Sequence, residues 1–117
     1  MGSYVEWLLG VQKELNDENV NPTRIGLITK IADLRNQAAK GKFRNAHDDD
    51  IVVENRELAG LIFLASAENW LGFLAEQEGR EEDAKRHFAQ YEMTMADVNK
   101  AGRFSDRERG LAVAIMD

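Results

Sequence analysis

No cysteine occurs in this sequence, and proline occurs once. Without thiols there is no disulfide, no thiolate nucleophile and no zinc–thiolate site. That fits a reducing compartment, and a cytoplasmic location is expected. The lone Pro22, and the lack of β-branched runs bounded by turn residues, point to an all-α fold. A basic stripe is missing as well. Against 15 Lys and Arg stand 21 Asp and Glu, a net charge of −6, which is a poor balance for direct nucleic-acid binding. The first residues show no basic segment leading into an apolar run and a small-residue cleavage site, so no signal peptide is expected.

What is present is one long apolar stretch, LAGLIFLASAENWLGFLA, from Leu58 to Ala75. At helical spacing its apolar side chains go all the way round, which suits the centre of a bundle or a membrane. Glu68 and Asn69 lie mid-stretch, and Glu54, Glu57, Glu76 and Glu78 flank it where a spanning helix would carry Lys or Arg. The reading is therefore a bundle core, with no membrane partner. A chain of 117 residues forms one domain and buries about two thirds of its unfolded surface without a metal or disulfide. The prediction is a single all-α domain over residues 1–117, a bundle of about five helices around a central apolar helix over about residues 54–78.

Local signals set the other boundaries. Ser3 with Glu6 makes a capping box for a helix to about Leu15, with Tyr4, Trp7, Leu8, Val11 and Leu15 as its inner stripe. Asn21 and Pro22 open a second helix that stops at Gly41. Its apolar arc of Ile25, Leu27, Ile28, Ile31, Ala32, Leu34, Ala38 and Ala39 also contains Arg35. Residues 41–50 read as a polar loop, with Asp48, Asp49 and Asp50 at the start of the central helix, where negative charge suits the dipole. Residues 51–53 suit a short extended segment or a first helical turn. Gly79 reads as a left-handed cap. The fourth helix opens on Glu81, Glu82 and Asp83, carries Ala84, His87, Phe88, Tyr91, Met95 and Val98 as its stripe, and ends near Gly102. Ser105 with Glu108 makes a second capping box for a last helix over about residues 106–116.

Leu71-Gly72, Gly79, Ala84 and Phe88 fall at the spacing of the tetratricopeptide repeat, and residues 65–98 resemble one such two-helix unit. The resemblance implies a tight hairpin in which small residues let the helices approach and the aromatic fills the space between them. Trp70 stands two places later than the family's first-helix Trp, Tyr91 takes a position usually held by Ala, and no second copy is found in the sequence.

Groups that could carry chemistry are few. His47 with the three aspartates lacks the alternating ligand spacing of a calcium loop. Glu54-x-x-Glu57 and Glu78-x-x-Glu81 are similar to the paired acids of all-α nucleotide pyrophosphohydrolases, which hold magnesium. Here, though, both pairs flank one helix, about 30 Å apart. His87 reads as a hydrogen-bonded, part-buried core histidine. Neither a metal nor a cofactor is expected, and no catalytic residue is assigned.

The leading expectation is a non-enzymatic protein-interaction module that acts as an accessory, adaptor or inhibitor, with self-association as a further expectation. A second is an acidic mimic of nucleic acid, because residues 47–83 carry eleven acidic and two basic side chains. A metal-dependent nucleotide hydrolase ranks last. Candidate partner-binding residues are Asp48, Asp49, Asp50, Glu54 and Glu57 at one end of the central helix and Glu76, Glu78, Glu81, Glu82 and Asp83 at the other. Leu111, Val113, Ile115 and Met116 join them as apolar residues in excess of one core. Arg35 and Glu68, each costly to bury alone, are expected either to pair inside the bundle or to lie apart. In the second case the central helix has one narrow wet edge at Glu68 and Asn69, which would be a candidate partner-binding face, and Arg35 reaches solvent along its stem.

Overall fold

Pro22 sits in the first turn of a helix, where its missing N–H costs nothing and its fixed φ is already helical. In a computed structural model that describes residues 22–116, this helix, α1, spans Pro22–Lys40. The predicted Ser3–Leu15 helix and the Asn21 cap lie outside the described residues. Helix α1 ends where Gly41 takes φ 67° and donates its N–H to the Ala38 carbonyl. A side chain there would be strained by that φ and would put Cβ 2.7 Å from the Val53 carbonyl oxygen.

The polar loop expected after Gly41 is instead a small β-hairpin. Strands β1 (Lys42–Arg44) and β2 (Asp50–Val52) pair antiparallel, with Phe43 opposite Ile51. Asn45 shapes the turn: its side-chain oxygen accepts the N–H groups of His47 and Asp49. Asp48 takes the left-handed conformation, φ 61°, which Asp tolerates better than most residues. Phe43 is fully buried and Val53 nearly so, and these two side chains pin the hairpin to the helices.

Helix α2 spans Arg56–Gln77, about 33 Å at 1.5 Å per residue. Asn55 caps it, accepting the Leu58 N–H at 3.1 Å. The three aspartates therefore do not cap this helix; the hairpin turn holds Asp48 and Asp49, and Asp50 opens β2. Past its C-terminus Gly79 takes φ 74°. The Arg80 N–H reaches the Ala75 carbonyl and the Gly79 N–H that of Glu76, the paired bonds of a Schellman cap. Helix α3 spans Glu81–Val98 and α4 spans Asp106–Met116. The end of α3 falls at Val98, before Gly102. The predicted capping box at Ser105 forms in both directions, Ser105 N–H to Glu108 and Glu108 N–H to Ser105 Oγ. The other Glu108 carboxylate oxygen accepts from the Asn55 amide. One carboxylate thus ties the starts of α2 and α4 together. The Ser105 N–H first, and Asn55 after it, hold it below the usual carboxylate range.

The described residues thus form four helices and a two-stranded sheet, a mostly helical globule with α2 at its centre. Leu27 and Ile31 of α1 pack on Phe63, Ala67, Leu71 and Leu74 of α2. A second cluster gathers Phe43, Val53, Leu58, Ile62, Val98, Phe104 and Ala112, joining the hairpin to α2, the end of α3 and α4. The α1 arc is narrower than expected. Its centre is Leu27, Ile31, Leu34 and Ala38, while Ile25, Ala32, Arg35 and Ala39 are exposed. Arg35 sits on the rim of the arc and does not enter the bundle.

Helices α2 and α3 come closest at Gly72. A Cβ at that position would stand 2.6 Å from Cε1 of Phe88 and under 3 Å from two more ring carbons. Gly72→Ala is expected to cost about 1–3 kcal/mol by overpacking, measured by denaturant unfolding. The same substitution in a Phe88→Leu background should cost clearly less. Equal costs in both backgrounds would remove the Phe88 ring as the cause.

Candidate partner-binding face

The acidic residues singled out in the sequence do not converge. Asp48, Asp49, Asp50 and Glu54 are exposed at the hairpin, and Asp50 lies 3.6 Å from Lys42 Nζ. Glu57 pairs with Arg103, which also holds Asp97. At the far end of α2, Glu76, Glu81 and Glu82 are exposed, and Asp83 bonds Arg80 at 2.8 Å. Glu78 has a structural task instead. Both of its oxygens accept from Arg24, at 2.8 and 3.0 Å, and Arg80 adds a bond at 2.7 Å. Arg24 is 4% exposed and Glu78 half-buried, so this is a part-buried clasp between the start of α1 and the cap of α2. The Arg24 guanidinium, with Arg80 behind it, lowers the Glu78 carboxyl to about 2 against the opposing effect of burial. The two glutamate pairs compared with a magnesium site thus stand at opposite ends of α2, with Glu57 and Glu78 already engaged by arginines. Among the described residues no group of three or more His, Asp or Glu side chains is placed to hold a metal.

Of the C-terminal apolar residues, Leu111, Ile115 and Met116 are half-buried against the second core cluster. Ser66 Oγ donates to Met116 Sδ. Val113 points outward and is 49% exposed. Most of this run belongs to the chain's own packing.

Glu68 is buried, and its partner is not Arg35. Its Oε2 lies 2.5 Å from Nδ1 of His87, and both residues are about 5% exposed or less. The pair crosses from α2 to α3 one turn from the Gly72–Phe88 contact. His87 is thus the buried, hydrogen-bonded core histidine that its place on the apolar stripe implies.

The edge of α2 that faces outward is aromatic. Ser66, Asn69, Trp70 and Phe73 follow one another at i, i+3, i+4 and i+7, so they form one stripe. Asn69 is exposed, Trp70 half-buried and Phe73 46% exposed. The two rings meet edge-to-face with centroids 6.0 Å apart. From α1, Lys30 Nζ stands 4.1 Å over the Trp70 ring, a cation–π contact. Two clefts open on either side of Lys30 and Trp70. One, of about 190 Å³, reaches Gly26 and Phe73. The other, of about 270 Å³, reaches Leu34, Arg44 and Ile115. A further cleft of about 310 Å³ lies between β2 and α4, and its polar lining includes Asn55 and Glu108, which bond each other.

From the sequence, a narrow wet edge at Glu68 and Asn69 is the alternative to an Arg35–Glu68 pair; the structure buries Glu68, and the edge runs through Asn69 and Phe73 instead. The signal was there: Asn69, Phe73, Glu76 and Gln77 mark one side of α2 that is polar except for an aromatic. By length and composition α2 is apolar enough to cross a membrane, and 67% of its most apolar window is buried inside the fold.

Compared with known proteins, the chain matches no family model, no curated protein and no solved structure.

Proposed function

We propose that this chain is a protein-interaction module, without catalytic activity of its own, that presents the aromatic edge of α2 to another protein. The observation that carries this reading is Phe73. It is a large aromatic, 46% exposed, on the helix that supplies most of the core, and it lines an apolar cleft beside Trp70. An aromatic left open at a cleft contributes little to folding, whereas aromatic side chains are enriched among the residues that dominate protein–protein binding. The α2–α3 hairpin, which resembles one tetratricopeptide unit, would hold that edge rigid from behind.

Affinity capture from the native host with wild type and Phe73→Ser tests the reading. A protein retained by wild type and released by the variant, with the unfolding midpoint little changed, is the expected result. Retention of the same proteins by both forms would count against it.

A further inference from the structure

The two clefts that share Lys30 and Trp70 form one groove across α2, bounded by α1 on one side and by the hairpin and the end of α4 on the other. Its charge is opposite to that of the chain. The formal net charge is −6, yet among the described residues neither cleft has an Asp or Glu in its lining, while Lys30 and Arg44 both line the groove. Among the described residues neither cation makes an ion pair. Lys30 rests on the Trp70 ring. Asp50, opposite Arg44 in the hairpin register, pairs with Lys42 instead. The cleft that holds both cations mixes apolar Leu34, Trp70 and Ile115 with polar Asn45, Ser66 and Asn69, and the neighbouring cleft, which ends at Phe73, is apolar.

Resting on the interaction-module reading, we infer that this groove receives an amphipathic helix of a partner protein whose apolar face is flanked by carboxylates. The stripe from Ser66 to Phe73 offers about two turns of α2, roughly 10 Å, as a floor. Helix α1 forms one long wall, and the hairpin with the end of α4 closes the other side at one end, which suits helix-in-groove docking with anchors at i, i+3 or i+4, and i+7. Apolar anchors fill the clefts on either side of Trp70, and carboxylates reach Lys30 and Arg44. The same two cations disfavour a basic helix with an equal apolar face, so charge sets the choice of partner as well as the rate of encounter.

Two synthetic probe peptides of about 16 residues, roughly 24 Å when helical, test this. Both carry the same Leu and Phe face; one is flanked by glutamates, the other by lysines. In amide-resolved NMR of the full chain, the glutamate peptide should shift signals in residues 26–34 and 66–74 and the Trp70 indole N–H. It should bind about tenfold or more tightly than the lysine peptide, and the preference should shrink in high salt. Lys30→Glu should reverse the order. Equal affinities, shifts centred elsewhere, or no response to either peptide would overturn the assignment. So would a dimer in sedimentation that Lys30→Glu dissociates, because the groove would then belong to a second copy. Host-protein capture that Phe73→Ser abolishes but Lys30→Glu leaves intact would remove the acidic helix and keep the interaction module. Capture that survives both variants would defeat the two together.

Discussion

Glu68→Ala is expected to cost about 3–5 kcal/mol in denaturant unfolding at neutral pH, the range for breaking a buried pair from one side. Glu68 is 4% exposed and holds His87 Nδ1 at 2.5 Å. Removing the carboxylate takes a strong acceptor from a buried imidazole and opens space between α2 and α3. Glu68→Gln keeps the shape and one acceptor oxygen, so it should cost less than the alanine change. Replacing both residues by apolar side chains of similar volume should cost less than the sum of the two single changes, because neither is then left buried without the other. A loss below about 1 kcal/mol for Glu68→Ala would give the pair the worth of a surface contact.

The second large effect is in acid. The Glu78 carboxyl is lowered from 4.5 to about 2, first by the Arg24 guanidinium and further by Arg80. A carboxyl whose folded value is depressed stabilises the fold fully above its unfolded value. That contribution is lost as pH falls from about 4.5 through about 2, where the folded protein must also take up the proton. The amount at stake is on the order of 2–3 kcal/mol. Glu78→Gln should therefore be less stable than wild type at neutral pH, and the gap should narrow on acidification across that window. Thermal unfolding followed from pH 7 to pH 2 reads this directly. A gap that stays constant across the window would show that the Arg24–Glu78 clasp does not link folding to protons.

Which parts of this fold could be read from the sequence depended on how local their causes are. Gly41 and Gly79 were legible as helix stops because a left-handed residue after a helix is a local requirement. The Ser105–Glu108 box was legible because both partners lie within one turn. The hairpin was not. Its strands are three residues each, too short for alternation to show, and Phe43 is buried by what packs on it rather than by any pattern around it. Asp48, Asp49 and Asp50 looked like helix-capping charge because nothing local distinguishes that from a hairpin turn. Glu68 and Arg35 were each singled out as unusual, but periodicity does not say which partner a buried charge finds. Arg35 lies on the rim of its arc, and His87, on the next helix, was the answer. Arg24 gave no sign at all, since its partner Glu78 is 54 residues away. The candidate face was half legible: the polar side of α2 can be read at Asn69, Glu76 and Gln77, but that Phe73 stays open beside Lys30 and Trp70 depends on how α1 docks.

On the proposed reading the partner sits on the aromatic edge of α2, not on the acidic ends of the fold. Amide hydrogen exchange of the chain, free and bound to the protein it captures from its host, tests this most directly. Added protection is expected in residues 26–34 and 66–74, with the hairpin turn at residues 45–50 and the start of α3 at residues 81–83 unchanged. Protection centred on those two acidic segments, with residues 66–74 unaffected, would contradict it.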